Sequence, residues 1–129
     1  MAQVYRGGVN VLLCIDDSPA ILQYERALFE RSGFVVVTAT SAKQGLQLAS
    51  LFHFDVVLLD YRVPDMNGHM IALEVKRLQP EARLVIFSGS DIPAETCKIV
   101  DAVMQKAGVI SELLPTVNRL LDQRGTKCN

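Results

Sequence analysis

The sequence has no tryptophan, 6% aromatic residues and only three cysteines, Cys14, Cys97 and Cys128. Their number is odd, they are widely spaced and they match no metal-ligand pattern, so neither a disulfide framework nor a zinc site is expected. Cys14 falls inside an apolar run and reads as a small buried hydrophobe. This cysteine usage fits a reducing, cytoplasmic setting. An excess of one charge is also missing. Thirteen Lys and Arg stand against 14 Asp and Glu, a net charge of −1, and the basic residues are scattered. Nothing recommends direct contact with nucleic acid or an anionic membrane. The opening MAQVYRGGVN has no apolar signal core, and no apolar run approaches membrane-spanning length. Linkers, repeats and low-complexity tracts are absent, and only RGTKCN at the end is expected to fray. What remains is one domain over residues 1–129, with its core at about 9–123 and half of its residues hydrophobic, enough to fill a single core.

Five short apolar runs recur: VNVLLCI (9–15), VVVT (35–38), DVVLLD (55–60), RLVIFS (83–88) and DAVMQK (101–106). Several are solidly apolar, as strands covered on both faces are. Segments with helical spacing separate them. Ser18, Pro19 and Gly33 suit the cap, first turn and exit of the first helix, which carries Ile21, Leu22, Leu28 and Phe29. Ser41 caps a second, with Leu46, Leu48, Leu51 and Phe52, and a third carries Met70, Leu73, Val75 and Leu78 and stops before Pro80. Between Ser88 and Lys106 there is room for only two or three turns, starting near Pro93. The last helix carries Leu113, Leu114, Val117, Leu120 and Leu121, and it tolerates Pro115 if it starts near Ser111. Five alternations of strand and helix predict a doubly wound α/β fold, a parallel sheet with helices on both faces. Ligands of such sheets bind beyond the carboxyl ends of the strands.

The residues at those ends are therefore the informative ones. The first run, VLLCI, breaks off into Asp16 and Asp17; the third ends in Asp60, the fourth in Ser88 and the fifth in Lys106. Two like charges about 4 Å apart repel by roughly 4 kcal/mol at a protein surface. Oxygen-only donors in a shallow crevice suit Mg²⁺ (or Mn²⁺) better than zinc or copper, and a divalent cation would turn the repulsion into binding energy. Asp60, at the end of the central run, could act as a nucleophile toward a phosphoryl group, with Ser88 and Lys106 stabilising the phosphoryl oxygens.

With DDSP after the first strand, LLDYRVPDMNG around Asp60, FSGS at the fourth strand and QKAG at the fifth, the chain resembles a response-regulator receiver domain from about Val9 to Leu121. The D-x-x-x-P-x-M-x-G pattern of Asp60, Pro64, Met66 and Gly68, in register with the other three pieces, is the most specific part. The resemblance implies a flavodoxin-like fold of strand order 2-1-3-4-5 and a phosphoacceptor at Asp60. It implies metal ligation by Asp16, Asp17, Asp60 and the backbone carbonyl of Arg62, a switch hydroxyl on Ser88 and a phosphate-binding ammonium on Lys106. The phosphoryl group would come from a histidine kinase or phosphotransfer protein, and the signal would pass to a downstream protein target or a fused output domain. Arg62 and Ser90 would flank the phosphoryl group and modulate its lifetime.

Three departures from the family stand out. Ala107 follows the lysine where the family usually has a cis-bonded proline. A non-proline cis bond costs about 3 kcal/mol, yet a cis Lys106–Ala107 bond is expected, because the lysine must still reach the crevice. Val103 replaces the usual Tyr or Phe and has no ring to swing. Eighteen positions separate Ser88 from Lys106, about one helical turn short of the family's habit, and the missing turn is expected to come out of the fourth helix. His53 and His69 read as surface residues, Tyr61 as packed or outward-pointing, and the methionines as core or loop filler. The competing functions are a receiver-like module that docks constitutively, a flavin mononucleotide carrier and a haloacid-dehalogenase-type phosphatase. DDSP would repel a flavin phosphate unless metal intervened, and DDS lacks the D-x-D motif that the phosphatase wants.

Overall fold

The computed structural model describes residues 8–108 and 110–126. The five apolar runs form strands β1 (Val11–Ile15), β2 (Val35–Ala39), β3 (Val56–Leu59), β4 (Arg83–Ser88) and β5 (Ala102–Gln105). They pair in parallel in the order β2-β1-β3-β4-β5. The inner strands are buried on both sides because helices cover both faces. Helices α1 (Pro19–Glu30) and α5 (Leu113–Thr126) bury Leu22, Phe29, Leu113, Val117 and Leu120 on one face. On the other, α2 (Ala42–Leu51) and α3 (Gly68–Leu78) bury Ala42, Ala49, Ile71, Ala72 and Val75. A single turn, α4 (Ala94–Cys97), joins β4 to β5.

The starts and stops follow local chemistry. Ser18 Oγ accepts the Ile21 N–H at 3.3 Å, Ser41 Oγ accepts the Gln44 N–H at 3.1 Å, and Asn67 Oδ1 accepts those of His69 and Met70 at 2.9 and 3.2 Å. Gly33, at φ +92°, makes the left-handed exit after α1. At the N-terminal end of the sheet, Gln79 works as a clip. Its amide accepts the Phe54 N–H at 3.1 Å and donates to the carbonyls of Ala49 and Phe52 at 2.8 and 2.6 Å, tying α3 to the exit of α2.

Several expectations need correction. In α2 the buried face is Ala42, Gly45 and Ala49, while Leu51 and Phe52 are 67% and 59% exposed. A Cβ at Gly45 would meet the Ile15 side chain, so small residues seat this helix on the sheet. In α3, Met70 and Leu73 are exposed and Ile71 and Ala72 face inward. The fourth helix is one turn, shorter than the two or three expected; Ile99 N–H closes back on Thr96 at 3.0 Å, and Asp101 N–H already bonds Leu84 at 2.8 Å to begin the β5 ladder. A 3-10 turn at Ile110–Glu112 precedes α5, so Pro115 falls in the first turn, where its missing N–H costs least. The helix runs on to Thr126, into the stretch expected to fray, and residues 127–129 lie outside the described residues. Lys106–Ala107 is trans, since the described residues contain no cis bond. The turn closed by Gly108 N–H on Gln105 O at 3.0 Å carries the lysine into the crevice without one. His69 is half-buried, with Nδ1 2.8 Å from the hydroxyl of the fully buried Thr96, whereas His53 is at the surface.

Candidate functional site

Register brings the strand ends together. Ile15 pairs with Leu59 and Ser88 with Gln105. The ladder continues one residue further, with Asp16 N–H on Ala39 O at 3.1 Å, Asp60 N–H on Ile15 O at 2.9 Å and Lys106 N–H on Ser88 O at 2.9 Å. Asp16, Asp60, Ser88 and Lys106 therefore share one edge, with Asp17 beside them. Asp16, Asp60 and Ser88 are buried, Lys106 is half-buried and Asp17 is exposed.

Within the crevice Lys106 is shared unequally. Its Nζ donates to Asp16 Oδ2 at 2.7 Å and lies 3.5 Å from Asp60 Oδ2. The Phe87 ring centroid, 5.9 Å away, offers the ammonium a π face. Asp16 Oδ1 accepts the Ser18 N–H at 2.9 Å, and Asp60 Oδ1 accepts the Arg62 N–H at 3.3 Å. Burial raises the Asp16 pKa, outweighing the opposing hydrogen bond from Lys106. Burial also works to lower the Lys106 pKa, but the Asp16 hydrogen bond and the charges of Asp16 and Asp60 leave it raised. The lysine is thus firmly cationic at neutral pH.

One carboxylate oxygen from each of Asp16, Asp17 and Asp60 lies within 4.8 Å of the others. Three hard oxygen donors, two of them on buried residues and the third open to solvent, fit a divalent cation that keeps several waters. The loop after Asp60 is held down by two devices. A Cβ at Gly68 would overlap the ring and carbonyl of Tyr61, so only glycine lets α3 start against that loop. Asp65 reaches the N-terminus of α2, accepting the N–H groups of Ala42 and Lys43 at 3.0 Å each. These two bonds lower its pKa.

The modulating candidates sit around the rim. Arg62 is exposed, and Val103 is half-buried against the core on the α3 side. Ser90 Oγ lies 3.2 Å from Ser88 Oγ, and Ser90 N–H donates to the same oxygen at 3.3 Å. Tyr61 packs against the core. Sequence reading missed two residues. Gln105 Nε2 donates to the Ser90 carbonyl at 3.4 Å, a bond hidden in a position that reads only as a strand-end polar residue. Glu25, on α1, is 2% exposed, and its Oε1 has no hydrogen-bond partner. Burial, with the charge of Asp16, pushes its pKa up to about 8. The signal for it was its place three residues after Leu22 and four before Phe29, both buried on the inward face of α1.

A family model described as response regulator receiver domain matches residues 12–108. The transcriptional regulatory protein GlrR of Escherichia coli K12 is 30% identical over 109 residues, covering 84% of this chain and 23% of GlrR. The chain thus spans about a quarter of the length of that relative. The receiver domain protein (CheY-like) of Methanospirillum hungatei superposes with a TM-score of 0.86 at 25% identity, over 93% of this chain and 99% of that one. The response regulator TrrA of Thermotoga maritima, in complex with Mg²⁺–BeF, has the same fold at a TM-score of 0.79 and 21% identity, over 86% and 98% of the two chains.

Proposed function

This chain belongs to the response regulator receiver domain family, a family of regulatory domains generally phosphorylated on aspartate, and we propose that Asp60 is its phosphoacceptor. The observation that carries the reading is a buried carboxylate at the central strand end, 3.5 Å from the Lys106 ammonium and within 4.8 Å of two further carboxylates. A carboxylate oxygen of Asp60 forms a bond to phosphorus as the donor's P–N or P–O bond breaks, and water later cleaves the acyl phosphate to release inorganic phosphate. Lys106 balances the negative charge gathering on the phosphoryl oxygens, and the Ser88 hydroxyl donates to one of them. Asp16, Asp17, Asp60 and the Arg62 carbonyl would hold Mg²⁺ or Mn²⁺, which when bound neutralises the carboxylates and polarises the phosphoryl group. Arg62 and Ser90 flank the acyl phosphate and set how readily water reaches it.

The donor is a histidine kinase or a phosphotransfer protein, and the setting is the cytoplasm. Among the described residues no helix is long and apolar enough to cross a membrane. The signal goes to a separate protein or to an output domain on the same polypeptide. Acetyl phosphate with Mg²⁺ should add the mass of one phosphoryl group to the wild-type chain and none to Asp60→Ala. An Asp17→Asn chain that bound Mg²⁺ as tightly as wild type would count against the metal site. One turn of α4 and Val103 in the aromatic position favour a second reading, constitutive docking without phosphate cycling. Absence of any Asp60-dependent mass gain would select it.

A further inference from the structure

Val103 leaves this switch without an obvious reader. Its side chain is apolar, half-buried and packed against the core, so it can neither donate nor accept a hydrogen bond. A polar chain of contacts does lead out of the crevice two residues further along β5. It starts at Ser88 Oγ, passes through the Ser90 hydroxyl and N–H at 3.2 and 3.3 Å, and continues from the Ser90 carbonyl to Gln105 Nε2 at 3.4 Å. Ser88 is 1% exposed, whereas Gln105 is at the surface, so the chain runs from the buried site to solvent. Only side-chain rearrangement is needed at its inner end, because the Lys106 N–H on Ser88 O at 2.9 Å holds the two strand ends together.

We propose that Ser88, Ser90 and Gln105 form the readout of the switch, in which Ser90 is a positioning residue for the Ser88 hydroxyl and Gln105 reports its departure at the exposed end of β5. This rests on the reading of Asp60 as phosphoacceptor. A serine hydroxyl has one proton and two lone pairs. To give that proton to a phosphoryl oxygen, the Ser88 side chain turns toward the phosphoryl group and carries its Oγ away from the Ser90 hydroxyl and N–H that contact it. A bond to a charged oxygen is roughly twice as strong as one between neutral hydroxyls, so the exchange runs toward the phosphoryl group. The 89–91 loop then loses its hold on Ser88, and the Ser90 carbonyl shifts under the Gln105 amide.

The test is ¹⁵N NMR of the full chain with saturating beryllofluoride and Mg²⁺, alongside intact mass after acetyl phosphate. The Gln105 side-chain amide should move in wild type, stay in place in Ser88→Ala at equal loading, and move less in Ser90→Ala. An unmoved Gln105 amide in a wild-type chain that gains phosphoryl mass overturns the relay alone. An equal shift in Ser88→Ala also overturns it, because mere closeness to the charge would explain the movement. No Asp60-dependent mass gain in wild type overturns the phosphoacceptor reading, and the relay with it.

Discussion

Replacing Glu25 with glutamine should stabilise the protein, increasingly so as pH rises. The carboxyl is 2% exposed, one of its oxygens has no partner, and Asp16 adds a like charge. A glutamate that ionises near 4.5 in the unfolded chain and at about 8 in the folded one binds its proton more tightly when folded. The folded chain therefore holds a proton across this window that the unfolded chain has released, and stability falls as pH rises from about 4.5 to about 8. At 1.36 kcal/mol per pH unit the cost is about 3 kcal/mol at pH 7 and below about 1 kcal/mol at pH 5. Glu25→Gln keeps the volume and removes the titration. Urea denaturation at pH 5 and pH 8 reads the change in the mutant's advantage, so titrations common to both proteins cancel. The advantage should grow by about 3 kcal/mol between these pH values. Curves that run parallel, within about 0.5 kcal/mol, would show that Glu25 ionises normally and refute the reasoning.

Three other substitutions test supports of the fold, two of them beside the site. Gln79→Ala strands the buried Phe54 N–H and two carbonyls, and should cost about 3 kcal/mol in urea denaturation, since each unmet buried polar group costs roughly 1–3 kcal/mol. Asp65→Ala removes the outside cap of α2 and should cost about 1 kcal/mol at neutral pH. The Asp65 pKa is lowered on folding, so its contribution is present above the ordinary carboxylate range and fades as pH falls through the folded pKa; thermal melts of wild type and mutant should converge in acid. Gly68→Ala forces a methyl into Tyr61, and should lower the melting temperature and slow phosphoryl uptake from acetyl phosphate, because the displaced loop follows directly on Asp60.

The parts legible in the sequence share a cause: they are local or periodic. Ser18, Ser41 and Gly33 act within one helical turn, and the apolar runs announce buried strands. Asp16, Asp60, Ser88 and Lys106 converge because parallel strands end on one edge, so finding the strands finds the site. What escaped depends on pairings distant in sequence. Gln79 meets Phe54 across 25 positions and Asp65 meets Ala42 across 23. His69 read as surface because Thr96, its partner 27 positions on, carries no signal. The outward faces of α2 and α3 were illegible for another reason. Helical spacing alone does not say which apolar residues face inward: close seating on the sheet requires Ala42, Gly45, Ala49 and Ala72 there, which leaves Leu51, Phe52, Met70 and Leu73 outside.

The short fourth helix also bears on where a signal can leave the domain. One turn is too little to present a helical face, so the segment is fastened by side chains of α3. His69 bonds Thr96 at 2.8 Å and Lys76 lies 3.8 Å from Asp101, with Leu73 between them on the same face and 42% exposed. Asp101 is held further by Arg83 at 3.3 Å and by the Leu84 N–H at 2.8 Å. Thr96 and Asp101 are therefore pinned, and the stretch between Gly89 and Pro93 spans the gap from β4 to the first pin. In the proposed relay, a rearrangement that starts at Ser88 meets those pins at the far end of that stretch. Gln105 reaches it from β5 at 3.4 Å, so the proposed relay predicts the end of β5, rather than α4, as the outlet.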